Sequence, residues 1–197
     1  MEISRETVTL DHLSQGRLTL SVGLGEPAQA EFAHFREEAD PKTRAKKLDE
    51  GLQLLAGLWS GKTFAFHNEH FQLEKTVFRP PSFQSTRIPI WVGGVWPNKA
   101  PFRRAARWDG ALPLFSGKDM KVKDLQEILA YIEQYRESIE PFDLVMMGCT
   151  PGDNREKAAK IIRPYMAAGL SWWLESLFQA KNSFAHLLTR IRQGPPS

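Results

Sequence analysis

The stretch RIPIWVGGVWPNKAPFRRAARWDGALPLFSG, residues 87–117, places two apolar runs on either side of a basic segment. Ile88 to Val92 is short, apolar and β-branched, so it predicts a buried strand, and Ala111 to Phe115 predicts the next one. Between them a helix can begin at Pro97 and end near Arg107. Two apolar strands joined through a helix are typical of a parallel sheet that helices cover.

The same alternation of strand and helix extends over the rest of the chain. Five strands are predicted, near residues 18–22, 88–92, 111–115, 142–147 and 170–174. Helices are predicted near residues 3–13, 41–60, 97–107, 122–139, 155–168 and 178–191. The segment TFAFHNEHFQLE, residues 63–74, alternates apolar and polar residues on both sides of a polar turn, which predicts a hairpin. A doubly wound sheet and a (β/α)8 barrel share this pattern, and both bind ligands at the carboxyl ends of their strands.

Length and composition limit the classes of protein to consider. The chain has 197 residues, which predicts a single domain spanning residues 1–197. A formal net charge of +3 is small, and basic residues recur along the chain beside acidic ones, so there is no reason to expect nucleic acid as a partner. Cys149 is the only cysteine, so a disulfide framework is excluded, and no apolar run has the length of a membrane span. A cytoplasmic protein without a membrane partner is therefore expected.

Four stretches together resemble the bacterial-luciferase-like superfamily, and more closely its flavin- or deazaflavin-dependent oxidoreductases. They are ETVTLDHLSQGRLTLSVGLG (6–25), LDEGLQLLAGLWSGKTFAFHNEHFQL (48–73), IPIWVGG (88–94) and RRAARWDGALPL (103–114). The resemblance implies a (β/α)8 TIM-type barrel that binds flavin mononucleotide (FMN) or coenzyme F420. It also implies that the first match is the third helix of such a barrel, so that its first three strands are missing. We therefore expect an incomplete barrel of about five parallel strands with an inserted hairpin.

The loop after the first predicted strand holds the first candidate site residues. Gly23, Leu24 and Gly25 precede Glu26, and in the similar deazaflavin-dependent dehydrogenases a glutamate after this glycine pair is a general acid. The resemblance therefore implies that Glu26 is catalytic and that the three residues before it bind the cofactor. The alternative is an ordinary exposed loop glutamate. Leu24 lies where luciferase itself has a phosphate-binding arginine, which favours F420 over FMN.

The resemblance implies that two further segments bind the cofactor. Gly93 and Gly94 follow a predicted strand, where backbone amides can contact a ligand, although two glycines also make a simple tight turn. Ser116, Gly117 and Lys118 resemble a phosphate-binding loop of the deazaflavin-dependent branch, and a lysine beside glycine amides suits a phosphate. A solvated surface lysine is the alternative for Lys118.

A metal site is not expected from the sequence. His67 and His70 are three residues apart in the predicted hairpin turn, but no third ligand lies close to them in the sequence. A Ser-His-Asp triad with a distinctive spacing is also missing, which leaves hydrolysis without support.

Two functions remain open at this point. The first is an oxidoreductase, either a monooxygenase or a dehydrogenase, in which the cofactor carries the redox chemistry on a small-molecule substrate. The second is a non-catalytic remnant that acts in binding or assembly. Because a partial barrel has open edges and uncovered apolar surface, a homodimer or larger homo-oligomer is expected in either case.

Overall fold

Strands and helices alternate along the chain in the computed structural model, which describes residues 1–115, 119–177 and 184–195. The strands are β1 (Leu20–Val22), β2 (Thr63–His67), β3 (Gln72–Val77), β4 (Ile90–Trp96), β5 (Gly110–Phe115), β6 (Asp143–Gly148) and β7 (Trp172–Glu175). The α-helices are α1 (Glu2–Leu13), α2 (Ala28–Glu31), α3 (Pro41–Trp59), α4 (Lys99–Ala105), α5 (Val122–Glu133), α6 (Arg155–Ala167) and α7 (Phe184–Arg192). A short 3₁₀ helix covers Ala33–Phe35. The chain divides into two compact units, Met1–Val92 and Gly93–Ser197.

Five of the strands form one sheet in the order β1-β4-β5-β6-β7. They are parallel; for example, Val22 of β1 is paired with Val92 of β4, and Val145 of β6 with Trp172 of β7. Parallel strands in sequence order, with helices between them, are the arrangement of an incomplete (β/α)8 TIM-type barrel. The predicted fold class is therefore confirmed.

The predicted hairpin is also confirmed. Strands β2 and β3 are antiparallel and form a separate two-stranded sheet. Phe64 and Phe66 stack with their ring centroids 6.0 Å apart, and a Cβ added to Gly57 of α3 would lie 2.2 Å from the Phe64 ring. The hairpin therefore packs closely on α3, and Gly57 leaves the space for it.

Helix α3 begins where the sequence predicts. Asp40 is its N-cap, and the Asp40 carboxylate accepts a hydrogen bond from the Thr43 backbone N–H at 2.8 Å, while Pro41 occupies the first helical position. The hydrogen bond from the Thr43 backbone holds the pKa of Asp40 below its usual value. At neutral pH Asp40 is therefore the ionised cap that the start of the helix favours.

Helix α1 buries a side that is mostly polar, with Val8 as its one apolar residue. Its buried positions are Ser4, Thr7, Val8 and Asp11, which recur at helical spacing. The Asp11 carboxylate accepts hydrogen bonds from the backbone N–H and the side-chain amide of Gln84, at 3.0 and 2.8 Å. Because these bonds satisfy the buried carboxylate, α1 can pack through polar contacts. The apolar side chains of α1 on the opposite side remain exposed.

Several predicted boundaries differ from the structure, and two of these differences have a visible physical cause. Strand β4 begins at Ile90 rather than Ile88, because Pro89 has no N–H for the ladder, although its carbonyl accepts a hydrogen bond from Leu20. Helix α5 ends at Glu133, short of the predicted residue 139. Beyond it, the Arg136 guanidinium donates hydrogen bonds to the carbonyls of Trp108 and Glu140, at 2.8 and 2.7 Å. These bonds hold the chain in a loop.

None of the helices in the described ranges (1–115, 119–177 and 184–195) combines the length and the apolar character needed to cross a bilayer.

Candidate functional site

The loop that follows β1 has a conformation that requires glycine. Gly25 has φ +76°, and a Cβ added there would lie 3.0 Å from the Phe32 ring and 3.2 Å from a carboxylate oxygen of Glu31. A left-handed backbone and a close aromatic neighbour both disfavour a larger residue. Gly25 therefore brings the loop backbone against Phe32.

Arg44 of α3 is the most deeply buried charge beside this loop, with 7 % of its surface exposed. Its Nη2 donates a hydrogen bond to the Gly25 carbonyl at 3.1 Å, and its guanidinium carbon lies 3.6 Å from the centroid of the Phe32 ring. Its Nη1 is also buried, and within the described ranges no hydrogen-bond acceptor contacts it. A buried guanidinium nitrogen without an acceptor is costly, so this atom is available for an anionic ligand.

A cavity of about 530 Å³ opens on this arrangement. Its lining includes Gly23, Leu24, Phe32, Arg36, Arg44 and Lys47, together with the carboxylates of Glu37 and Glu38. Three cationic and two anionic side chains give the lining a formal charge of +1 at neutral pH. An apolar ring, a buried arginine and a positive balance of charge are suited to a ligand that combines an aromatic part with an anionic group.

Glu26, the predicted general acid, lies next to this cavity in the sequence but not in its lining. Its side chain is exposed, and its Oε2 accepts a hydrogen bond from the Ala28 backbone N–H at 3.3 Å. The catalytic role of Glu26 stays a prediction.

Gly93 and Gly94 lie inside β4 rather than after it, since β4 continues to Trp96. A Cβ added to Gly94 would lie 2.2 Å from the Cβ of Pro101 in α4. Gly94 therefore permits the close approach of α4 to its own strand, and the cofactor-binding roles of Gly93 and Gly94 stay predictions. The other predicted phosphate loop, Ser116 to Lys118, lies outside the described residues.

Sequence reasoning missed Arg44 and Phe32. Arg44 lies among Lys42, Lys46 and Lys47, where a solvated basic face is the ordinary interpretation. The available signal was weak: Arg44 lies four residues before Leu48, on the side of α3 that carries the apolar residues. Phe32 lies in an irregular segment that has no periodicity.

Comparison with curated proteins shows relatives that depend on F420. An F420-dependent glucose-6-phosphate dehydrogenase of Nakamurella multipartita is 27% identical over 173 residues, which cover 85% of this chain and 49% of that protein. An uncharacterized protein of Mycobacterium tuberculosis is 36% identical over 104 residues, which cover 51% of this chain and 33% of that protein. The chain thus spans about half or less of the length of these relatives.

Solved structures share the fold at low sequence identity. An F420-dependent secondary alcohol dehydrogenase, in complex with an F420-acetone adduct, matches with a TM-score of 0.68 and 14% identity, over 88% of this chain and 68% of that chain. The oxygenating constituent of 3,6-diketocamphane monooxygenase from Pseudomonas putida, in complex with FMN, matches with a TM-score of 0.56 and 18% identity, over 82% of this chain and 48% of that chain.

The family profile described as luciferase-like monooxygenase matches residues 1–193, nearly the whole chain. This match agrees with the parallel sheet and with the relatives and structures found by comparison. The chain belongs to the luciferase-like monooxygenase family.

Proposed function

We propose that this chain is part of a luciferase-like oxidoreductase that binds a flavin or deazaflavin cofactor against the loop after β1. The observation that carries the proposal is the buried Arg44, whose Nη1 has no acceptor among the described residues and which lines a cavity next to Gly23 and Leu24. Family membership supplies the class of cofactor, since relatives use F420 or FMN. The proposal extends to a small-molecule substrate and a cytoplasmic location.

The residues around the cavity fit such a cofactor. FMN and F420 both join a planar ring system to an anionic chain that carries phosphate. Arg44 would hold an anionic oxygen through its Nη1, while its Nη2 stays on the Gly25 carbonyl. Arg36 and Lys47 would add positive charge, and Leu24 would present an apolar contact to the ring system.

Between the two cofactors we favour F420. Leu24 occupies the position at which luciferase has a phosphate-binding arginine, so binding of FMN in the luciferase manner lacks that contact. The Nakamurella relative, which is F420-dependent by name, matches 85% of this chain. When bound, F420 or FMN supplies the redox chemistry. The chain would contribute orientation of the ring, charge neutralisation by Arg44, and a proton at the Glu26 carboxyl group.

A binding experiment separates these roles. We expect the purified chain to bind F420 more tightly than FMN, and Arg44→Ala to weaken F420 binding by about 10- to 100-fold, because it removes a charge-assisted hydrogen bond in a partly buried site. Arg17→Ala is the control, since the exposed Arg17 side chain donates its hydrogen bond to the Ser14 carbonyl of its own local turn. Fluorescence titration measures both affinities.

The same titration tests Glu26. Glu26→Gln should keep the affinity for F420, because the amide retains the shape of the side chain, and should lower the rate of hydride transfer in any turnover that the chain supports. Affinity that is equal in wild type and Arg44→Ala would refute the cofactor site. Absence of any binding of F420 and FMN would favour the second candidate function.

That second function is a non-catalytic remnant that acts in binding or assembly. It is favoured by the terminal position of the three-residue strand β1 in the sheet order. A remnant of this kind would keep the fold and lose the affinity for the cofactor.

Self-association is proposed for either function. Helix α1 exposes 57 % of Ile3, 52 % of Leu10 and 75 % of Leu13, and these positions lie on one side of the helix. An exposed apolar stripe is typical of an interface. We expect sedimentation equilibrium to show a homodimer or larger oligomer, and Leu10→Glu with Leu13→Glu to give a monomer. Gln126→Glu, at an exposed position of α5, should leave the mass unchanged, and a wild-type monomer of 22.4 kDa would contradict the proposal.

A further inference from the structure

A second group of polar side chains lies where the hairpin turn meets α3. One carboxylate oxygen of Glu50, one of Glu69 and an imidazole nitrogen of His70 all lie within 4.8 Å of one another. Glu50 belongs to α3, whereas Glu69 and His70 belong to the turn between β2 and β3. The fold thus brings two carboxylates and an imidazole together from segments about twenty residues apart in the sequence.

The imidazole of His70 is held without a hydrogen bond on its Nε2. The side chain is 14% exposed, and in the described part of the chain this buried nitrogen contacts no donor or acceptor at hydrogen-bond distance. The nearest carboxylate oxygen, Oε1 of Glu69, is 3.9 Å away, which is too long for a hydrogen bond. A buried imidazole nitrogen that has no hydrogen bond can bind a metal ion through its lone pair.

Both carboxylates are already oriented. Oε2 of Glu50 accepts a hydrogen bond from the His70 backbone N–H at 2.9 Å, which fixes Glu50 against the turn. Oε2 of Glu69 accepts a hydrogen bond from Nζ of Lys46 at 3.1 Å, which leaves Oε1 on the side of His70. Such outer contacts position metal ligands in proteins.

We propose that Glu50, Glu69 and His70 bind one divalent ion of the zinc class, which ties the hairpin turn to α3. An imidazole nitrogen with carboxylate oxygens suits Zn²⁺, whereas Mg²⁺ and Ca²⁺ prefer oxygen ligands alone. Nitrogen and oxygen ligands lie about 2.0–2.2 Å from zinc. The distances between the three ligand atoms must therefore shorten by about 1 Å when the ion binds. Glu69 has the freedom to do so, since 62% of its side chain is exposed. Three protein ligands leave a further position for water.

The experiment uses the full chain and ZnCl₂ alone, in competition with a chromophoric chelator near neutral pH. We expect one Zn²⁺ per chain with a Kd of about 1 μM or below, which a large excess of Mg²⁺ does not displace. His70→Ala and Glu69→Gln should each weaken binding by about 10- to 100-fold or more. Zn²⁺ should also raise the Tm of the wild type and leave that of Glu69→Gln unchanged.

His67→Ala is the matched control, because His67 lies in the same hairpin and is 54% exposed, with its Nε2 3.5 Å from Glu74. It should bind Zn²⁺ as the wild type does. Equal losses in His67→Ala and His70→Ala, or no stoichiometric binding by the wild type, would overturn the proposal. Glu69→Gln distinguishes loss of the site from loss of the fold, since its exposed side chain can change without disturbing the core. Weak Zn²⁺ binding by Glu69→Gln, together with a native circular dichroism spectrum, supports the site.

Discussion

Replacement of Trp59 by alanine is expected to lower the free energy of unfolding by about 3–5 kcal/mol, the range for a fully buried large aromatic residue. Trp59 is the largest side chain in the first unit with no exposed surface. Its Nε1 donates a hydrogen bond to Oγ1 of Thr7 at 3.1 Å, which joins α3 to the polar side of α1. The substitution therefore opens a cavity and removes a buried hydrogen bond together. Urea denaturation measures the effect as a lower midpoint with an unchanged slope.

Two variants test this explanation. Thr7→Val keeps the shape of the threonine and leaves the indole N–H without its acceptor, so it should cost about 1–3 kcal/mol. Trp172→Ala makes the same substitution at a tryptophan that is 50 % exposed, and it should cost about half of the Trp59 effect or less. A Trp59→Ala protein as stable as Trp172→Ala would mean that α3 and α1 do not share this core.

Gly94→Ala is expected to destabilise the second unit by about 1–3 kcal/mol, the cost of overpacking. The added Cβ would lie 2.2 Å from Cβ and 2.6 Å from Cγ of Pro101, whose ring cannot turn aside. Either α4 or β4 must then shift. The result distinguishes the two interpretations of the glycine pair, because a glycine that serves only a ligand would lose cofactor affinity at unchanged stability. Denaturation and F420 titration of the same protein measure both quantities.

Gly51→Ala is the matched control with the opposite expected sign. A Cβ at Gly51, inside α3, would lie 3.7 Å from the Phe71 ring, an ordinary contact. Alanine is favoured over glycine within a helix, so the variant should gain about 0.5–1 kcal/mol. Pro101→Gly, combined with Gly94→Ala, should recover part of the lost stability if the clash is its cause. No coupling between the two substitutions would contradict the proposed contact.

Local pattern was sufficient for the elements and for the family. The apolar β-branched runs predicted all five parallel strands, and alternation around the turn at residues 67–70 predicted the hairpin. These elements can be predicted from the sequence because a strand buried on both faces is apolar throughout, and the strands of a half-buried hairpin alternate apolar and polar residues. Boundaries were less accurate where a single residue acts: Pro89 delays β4, and Arg136 binds the carbonyls that follow α5.

The candidate sites depended much less on local pattern. The Gly23–Glu26 loop was recognisable from its resemblance to the family, and its role stays a prediction. The sequence gives Arg44, the main residue of the proposed cofactor site, the pattern of an ordinary surface cation. Nothing near Arg44 in the sequence shows that its Nη2 contacts the Gly25 carbonyl. His70 was noticed, but Glu50 was not considered as its partner.

The sequence by itself determined the strand–helix alternation and the membership of the luciferase-like family, since apolar periodicity and motif order are properties of neighbouring residues. The tertiary structure alone decided which polar groups are buried together. Asp11 is hydrogen-bonded to Gln84, 73 positions away in the sequence, and Arg44 to the Gly25 carbonyl, 19 positions away. The physical reason is that a buried polar group needs a partner of matching chemistry, and it bonds whichever group the packing of helices and strands brings within about 3 Å.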